Sequence, residues 1–181
     1  MIFVLLYMEK VKIAIIGTHG VGKTTECLKL CYLLKIAGKD AKFIGEISRI
    51  CPLPINENTT KDAQKWILYT QIAKELSELP KYDFVISDRG AIDNYCYYLN
   101  KFGKEEYLDL LVNEHSKTYD FIFKIPIGFV PEGLIEDGIR ALDPVFQKDI
   151  DKLISSELKE RNIPFYEYEG AEKALQIILG K

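Results

Sequence analysis

The sequence predicts an α/β fold built on a parallel sheet. Three observations carry that prediction. Short runs rich in Ile, Val and Phe alternate with amphipathic segments from end to end, a glycine-rich loop joins the first run to the first helical segment, and no repeat, low-complexity tract or linker interrupts the pattern. Runs that are apolar throughout, rather than alternating with polar residues, belong to strands covered on both faces, as in a parallel sheet.

Taken in order, strands are expected at residues 11–16, 41–45, 84–87, 121–125 and 165–168, and helices at 22–37, 60–78, 91–100, 104–117, 144–161 and 171–179. The end signals agree with these limits. Asn58 or Thr59 can cap the second helix, Asp143 before Pro144 gives a cap followed by proline at the first helical position, and Gly38 and Gly180 close the first and last helices. Residues 126–142 hold glycines and prolines with no period and read as a mobile lid.

Composition narrows the function classes. With 181 residues, 48% apolar and a net charge of -3, the chain suits a single domain with a core large enough to need no staples. Lys plus Arg number 24 against 27 for Asp plus Glu, with no basic run, so the overall field does not favour nucleic acid. The four cysteines, Cys27, Cys31, Cys51 and Cys96, form no CxxC pair and read as reduced thiols of a cytoplasmic protein. Cys27 and Cys31, four apart on a helix, are expected in the core. Residues 1–7 are all apolar, but Glu9, Lys10 and Lys12 follow, so the run falls far short of the ~20 residues that span a bilayer. Translation from Met8 would make residues 1–7 a start-site extension, and an edge strand or apolar arm is the alternative. Whether the protein is a monomer or a homodimer stays open.

Directly after the first strand comes Gly17-Thr18-His19-Gly20-Val21-Gly22-Lys23-Thr24-Thr25, which fits GxxxxGKT at every fixed position. Glycines let the backbone curl until successive N–H groups point inward, and the helix that follows adds its positive end, so the loop is a cradle for a polyphosphate. Lys23 would bridge the terminal phosphates, the Thr24 hydroxyl would ligate magnesium, and Thr25 would reach the inner phosphate. His19 holds a variable place in the loop; it is counted with the cradle, has no catalytic role, and in the plainer reading is an exposed loop residue.

The third strand ends in Ser87-Asp88-Arg89. A carboxylate there would face the metal held by Thr24, although Asp88 could also cap the next helix. No Glu stands beside Asp88 to activate a water as in a motor ATPase. The nearest approach to a guanine-reading NKxD motif, Asn100-Lys101-Phe102-Gly103, lacks its acid.

With these residues in hand, the sequence resembles the P-loop nucleoside and nucleotide kinases, the group of nicotinamide riboside kinases, deoxynucleoside kinases and thymidylate kinases. The resemblance runs over residues 11–170 and rests on the cradle, Glu46 with Arg49, Asp88-Arg89 with Asp93, and Asp137-Gly138-Ile139-Arg140 in the lid. It implies a three-layer P-loop fold with strand order 2-3-1-4-5 and ATP with Mg2+ as cofactors. Lys23, Glu46, Asp88 and Arg140 would be catalytic: Glu46 accepts the proton of the attacking hydroxyl, and Arg140 swings over the phosphates. Thr24 and Asp88 would hold the metal, and Arg49, Gln71, Arg89 and Asp93 the acceptor.

Each assignment has a plainer counterpart. Glu46 could be a solvated strand end, Arg49 and Arg89 surface ion-pair partners, Asp93 a favourable charge at a helix start, and Arg140 a loop cation. Gln71 and Trp66 could read a base, yet Trp66, Tyr69 and Ala73 recur at helical spacing like a buried stripe. Tyr95, Tyr97 and Tyr98 fit core or pocket, and Glu169-Gly170-Ala171 resembles the adenine-side loop. Gly90 departs from the family, where an aromatic residue or serine is usual. The expectation is phosphoryl transfer from Mg-ATP to a small nucleoside-like or nucleotide acceptor. The alternatives are a regulatory ATP switch or partner-dependent ATPase, and a cradle that binds phosphate for structure alone.

Overall fold

A computed structural model of the chain describes residues 10–130 and 143–180. The strands β1 (Val11–Ile16), β2 (Ala41–Ile44), β3 (Phe84–Asp88), β4 (Phe121–Lys124) and β5 (Tyr166–Glu167) form one parallel sheet in the order β2-β3-β1-β4-β5. The helices are α1 (Lys23–Ile36), α2 (Lys61–Glu78), α3 (Ala91–Phe102), α4 (Glu106–Ser116), α5 (Pro144–Glu160) and α6 (Ala171–Leu179), with short 3-10 turns at Ile47–Ile50 and Asn56–Asn58.

The pleat of β1 sorts the core into two layers. Ile13 and Ile15 face α1 and α6 with Leu30, Leu34, Ala174 and Ile178. Ala14 and Ile16 face the other side, with Leu68 of α2, Ile92 and Tyr95 of α3, Leu108 of α4, and Ile150 and Ile154 of α5. Cys27 and Cys31 are buried in the first layer. Helices on both faces of an all-parallel sheet make the expected three-layer P-loop architecture.

Element limits depart from the sequence reading in instructive places. β3 runs one residue further than expected because Asp88 still pairs with Ile15 of β1. The cap of α2 is Thr60, whose hydroxyl accepts from the Ala63 N–H at 3.1 Å. Asn58 is held in a 3-10 turn, and the Thr59 hydroxyl is occupied by Gln64 Nε2 at 2.9 Å. Asp143 caps α5 as expected, accepting from the Val145 N–H at 2.8 Å. The expectations for residues 1–7, Arg140 and most of the 126–142 lid fall on residues outside the described ones. Among the described residues no helix is long and apolar enough to cross a membrane.

Candidate active site

β1 stands between β3 and β4, so the chain turns in opposite directions on leaving its two sides, and the carboxyl ends of β1, β2 and β3 open a crevice at that point. The cradle lines it. Gly17, Gly20 and Gly22 all take positive φ, at 143°, 77° and 87°. At Gly17 a Cβ would lie 2.8 Å from the Ile125 carbonyl oxygen, so this turn accepts glycine for both conformation and space. Gly22 precedes α1 and offers no side chain to bond the helix's first N–H groups, which leaves them for an anion. Thr18 and Val21 are buried inside the loop, and Thr25 is exposed at its end.

The free space inside the cradle is about 10 Å³. Lys23 Nζ fills the rest by donating back to the Thr18 carbonyl at 2.6 Å. Burial brings the Lys23 ammonium down to about 8, the Arg89 charge adds to that, and the carboxylates of Asp88, Glu46 and Asp93 oppose it. A phosphate oxygen would restore full charge to Lys23 and draw it off Thr18.

The Thr24 hydroxyl donates to Asp88 Oδ2 at 2.5 Å. Asp88 Oδ1 is buried without a partner, and burial raises the carboxyl against the pull of Lys23 and Thr24. Among the described residues no cluster of three His, Cys, Asp or Glu could hold a metal. A cation that keeps most of its shell as water and phosphate oxygen fits a site made of one hydroxyl and one under-satisfied carboxylate, and that is the habit of magnesium. Thr24 and Asp88 would hold it.

Next to Asp88, Arg89 is a non-glycine residue with φ of 82°. Its buried guanidinium donates from Nε to Glu46 Oε1 at 2.8 Å, lies 3.5 Å from Asp93 Oδ2 through Nη1, and sits 4.9 Å from the centre of the Tyr97 ring. Arg49 Nε donates to the other Glu46 oxygen at 3.1 Å. Burial alone would raise the Glu46 carboxyl, but Arg89 and Lys23 overrule it and hold Glu46 well below the usual carboxylate range. Glu46, Arg49, Asp88, Arg89, Lys23 and Thr24 are thus brought together.

Two of the expected acceptor residues lie elsewhere. Asp93 is wholly buried, accepts the Gly90 N–H at 2.6 Å, and is pushed by that burial up to about 6. It closes the start of α3, the plainer of the two readings open for Asp93 in the sequence, and lies 3.5 Å from Arg89 Nη1. Gln71 is 0% exposed, with Nε2 2.7 Å from Glu75 Oε1 and 3.3 Å from the Arg89 carbonyl, beneath the crevice rather than in it. Trp66 packs beside Ile44, Ile47 and Val85. Tyr69 and Ala73 face solvent, because the buried face of α2 is Ala63, Ile67, Leu68, Gln71 and Glu75. Polar residues on that face hid it from a reading based on apolar spacing.

His19 is buried, which removes the plainer reading of it as an exposed loop residue. Its ring stacks on Phe146 at 5.5 Å between centroids, its N–H donates to the Tyr97 hydroxyl at 3.0 Å, and its carbonyl accepts from Gln147 Nε2 at 2.7 Å. Gly90 also has a reason: a Cβ there would press on the Tyr119 hydroxyl at 3.2 Å and on Ala14 at 3.3 Å, so α3 approaches β1 too closely for a side chain.

A cavity of about 340 Å³ opens beside Glu46 and Arg89. Ile55, Ile67, Tyr97 and Phe146 give it apolar walls, and Asn56, Gln64, Asn94 and Asn100 set carboxamides among them. The Asn94 amide nitrogen is buried without a partner. Apolar walls with a few convergent polar groups are the make-up of a small-molecule site. Of its lining, Glu46, Arg89 and His19 of the cradle were legible in the sequence as site residues. Gln64, Asn94 and Phe146 carry no motif, and Tyr97 could be singled out only as one of three tyrosines on α3.

No curated protein matches the sequence. Among solved structures, the chain is similar to the NadR protein in complex with NR, at a TM-score of 0.72 and 19% identity, over 94% of this chain and 51% of that one. The present chain therefore spans about half the length of that protein. It is also similar to the deoxyadenosine kinase from M. mycoides with products dcmp and a flexible dcdp bound, at a TM-score of 0.62 and 19% identity, over 94% of this chain and 97% of that one. The family model described as AAA domain matches residues 12–173, a stretch that holds the cradle, Glu46 and Asp88-Arg89; the chain belongs to that family, with the fold of the P-loop nucleoside kinase-like proteins.

Proposed function

We propose that this protein transfers the terminal phosphoryl group of ATP to a hydroxyl of a small nucleoside-like acceptor. The observation that carries this reading is the cavity of about 340 Å³ that opens at Glu46 and Arg89, both of which also border the phosphate cradle. A donor's tail in the cradle and an acceptor in the cavity would meet at those two side chains, which turns an encounter of two molecules into a reaction within one complex.

Lys23 and the N-terminal amides of α1 bind the phosphates and stabilise charge on the oxygen that leaves. Thr24 and Asp88 would hold magnesium, which would supply further neutralisation of the phosphate oxygens. The acceptor oxygen forms the new bond to phosphorus, the bond to the bridging oxygen of ADP breaks, and the hydroxyl proton passes to Glu46. A carboxylate held low by Arg89 is a weak base until an acceptor loosens that pair, so the ion pair ties proton removal to acceptor binding. Arg140 in the lid would cover the transferring group.

A neutral hydroxyl is favoured over a phosphorylated acceptor because Arg49 and Arg89 are both bonded to Glu46, and Arg89 also faces Asp93. Incubating the protein with ATP, magnesium and a panel of nucleosides, nucleotides and pyridine ribosides, with mass spectrometry of the products, tests this. One acceptor should gain a phosphate, and Glu46→Gln should lower kcat by roughly 10²- to 10⁴-fold. An acceptor that already carries phosphate would overturn the preference for a neutral hydroxyl, and full activity in Glu46→Gln would overturn its role as base.

A further inference from the structure

Beneath Arg89 lies a buried charged cluster that the reaction above does not use. Glu75 of α2 is its centre, and four side chains meet its carboxylate. Gln71 Nε2 donates to Oε1 at 2.7 Å, the Tyr119 hydroxyl lies 2.9 and 3.0 Å from the two oxygens, Lys12 Nζ from the central strand is 2.8 Å from Oε2, and His115 Nε2 is 2.7 Å from the same oxygen. An ion pair so deep is no better for stability than well-packed apolar residues of the same volume, so its geometry calls for a reason.

Two of those four partners reach onward to the active-site backbone on either side of Gly90. Gln71 Nε2 has two hydrogens and two acceptors, Glu75 and the Arg89 carbonyl at 3.3 Å. The Tyr119 hydroxyl gives its hydrogen to Glu75 and accepts the Ala91 N–H at 3.0 Å. The groups between them are bonded as well: Arg89 N–H to the Ile15 carbonyl at 3.1 Å, Gly90 N–H to Asp93 at 2.6 Å, and the Gly90 carbonyl to the Asn94 N–H at 3.3 Å. A left-handed φ of 82° at a long-chain residue persists where the surroundings over-determine it, and here every backbone polar group from the Arg89 N–H to the Ala91 N–H is fixed.

We infer that Gln71, Glu75 and Tyr119 are positioning residues: a clamp that holds the Arg89 backbone in its left-handed turn and so keeps the guanidinium on Glu46. Lys12 and His115 hold the Glu75 carboxylate in place through Oε2. The catalytic consequence rests on the role proposed above for Arg89; the clamp itself does not.

The test removes one arm of the clamp and reads Arg89 directly. Tyr119→Phe keeps the ring and deletes the hydroxyl, and Gln71→Met keeps the volume of the other arm and serves if Tyr119→Phe does not fold. In 1H–15N spectra the wild-type Arg89 Nε–H, assigned by its loss in Arg89→Lys, should be protected from solvent exchange by Glu46. In either clamp variant it should shift and exchange at least tenfold faster while the backbone amide spectrum is retained. An unchanged Arg89 Nε–H in both variants overturns the clamp. In turnover, a guanidinium off its turn leaves the base Glu46 unplaced, which outweighs the gain in its basicity, so either variant should lower kcat about tenfold with the KM for ATP within about twofold, and should have no further effect in the Arg89→Lys background. Equal losses in both backgrounds would mean a merely structural role. If wild-type protein phosphorylates no acceptor, the proposed function fails while the Nε–H measurement still decides the clamp.

Discussion

Lys23 Nζ donates to the Thr18 carbonyl inside the cradle at 2.6 Å, and on the proposed reading a phosphate oxygen would take that carbonyl's place. Lys23→Ala should leave the circular dichroism spectrum unchanged and reduce ATP-dependent turnover by roughly 10²- to 10³-fold, as for loss of one well-placed charge-stabilising donor; retention of wild-type turnover would remove Lys23 from the reaction. Asp93 makes a second prediction. Its carboxyl stands at about 6 when folded, above its ordinary value of 3.8, so the stability it lends is full below 3.8 and is lost as pH rises through about 6. Between those limits the wild type should lose up to roughly 3 kcal/mol relative to Asp93→Asn, a shift of about two pKa units expressed as free energy. Denaturant midpoints at several pH values check this, and parallel curves for the two proteins would contradict it. Lys23 and Thr24 could be placed from the sequence because the spacing of the glycine-rich loop sets them at the start of α1, and Asp88 because it ends an apolar strand; the structure brings Thr24 and Asp88 to 2.5 Å. Gln71 and Asp93 could be named but not placed, since a buried amide or carboxyl bonded to the backbone looks in sequence like one that meets a ligand.

At the level of elements, helix caps and strand interiors are written in short-range chemistry, and most were readable. Asp143-Pro144 starts α5 as expected, and the runs of Ile, Val and Phe fall on the sheet. The buried face of α2 was not readable. It includes Gln71 and Glu75, whose partners come from residues 12, 89, 115 and 119, and no local pattern announces a contact of that range. Gly90 marks the closest approach of α3 to β1. Gly90→Ala places a methyl 3.2 Å from the Tyr119 hydroxyl and 3.3 Å from Ala14, and should cost about 1–3 kcal/mol of stability by overpacking, measured by urea unfolding. Because φ at Gly90 is -116°, backbone strain adds nothing there, and an undiminished unfolding midpoint would show that α3 can yield.

Across the whole molecule, parallel strands in the order β2-β3-β1-β4-β5 bring three carboxyl ends to one crevice, and function follows from what each end delivers. β1 delivers the cradle, β2 delivers Glu46, and β3 delivers Asp88 and Arg89. The order was expected from the family resemblance rather than from spacing, because nothing in a strand's own sequence names its neighbours. The cavity proposed for the acceptor was the least legible part, since its walls come from α2, α3 and the start of α5 together. The most direct test of the central claim, that a phosphate held at residues 17–25 is presented to a hydroxyl in that cavity, is a 31P NMR time course of the protein with ATP, magnesium and a mixed nucleoside pool. A phosphomonoester resonance that grows as the γ-phosphate signal falls, faster than inorganic phosphate appears, is the predicted result. ATP that binds but stays intact, or yields inorganic phosphate alone, would contradict it.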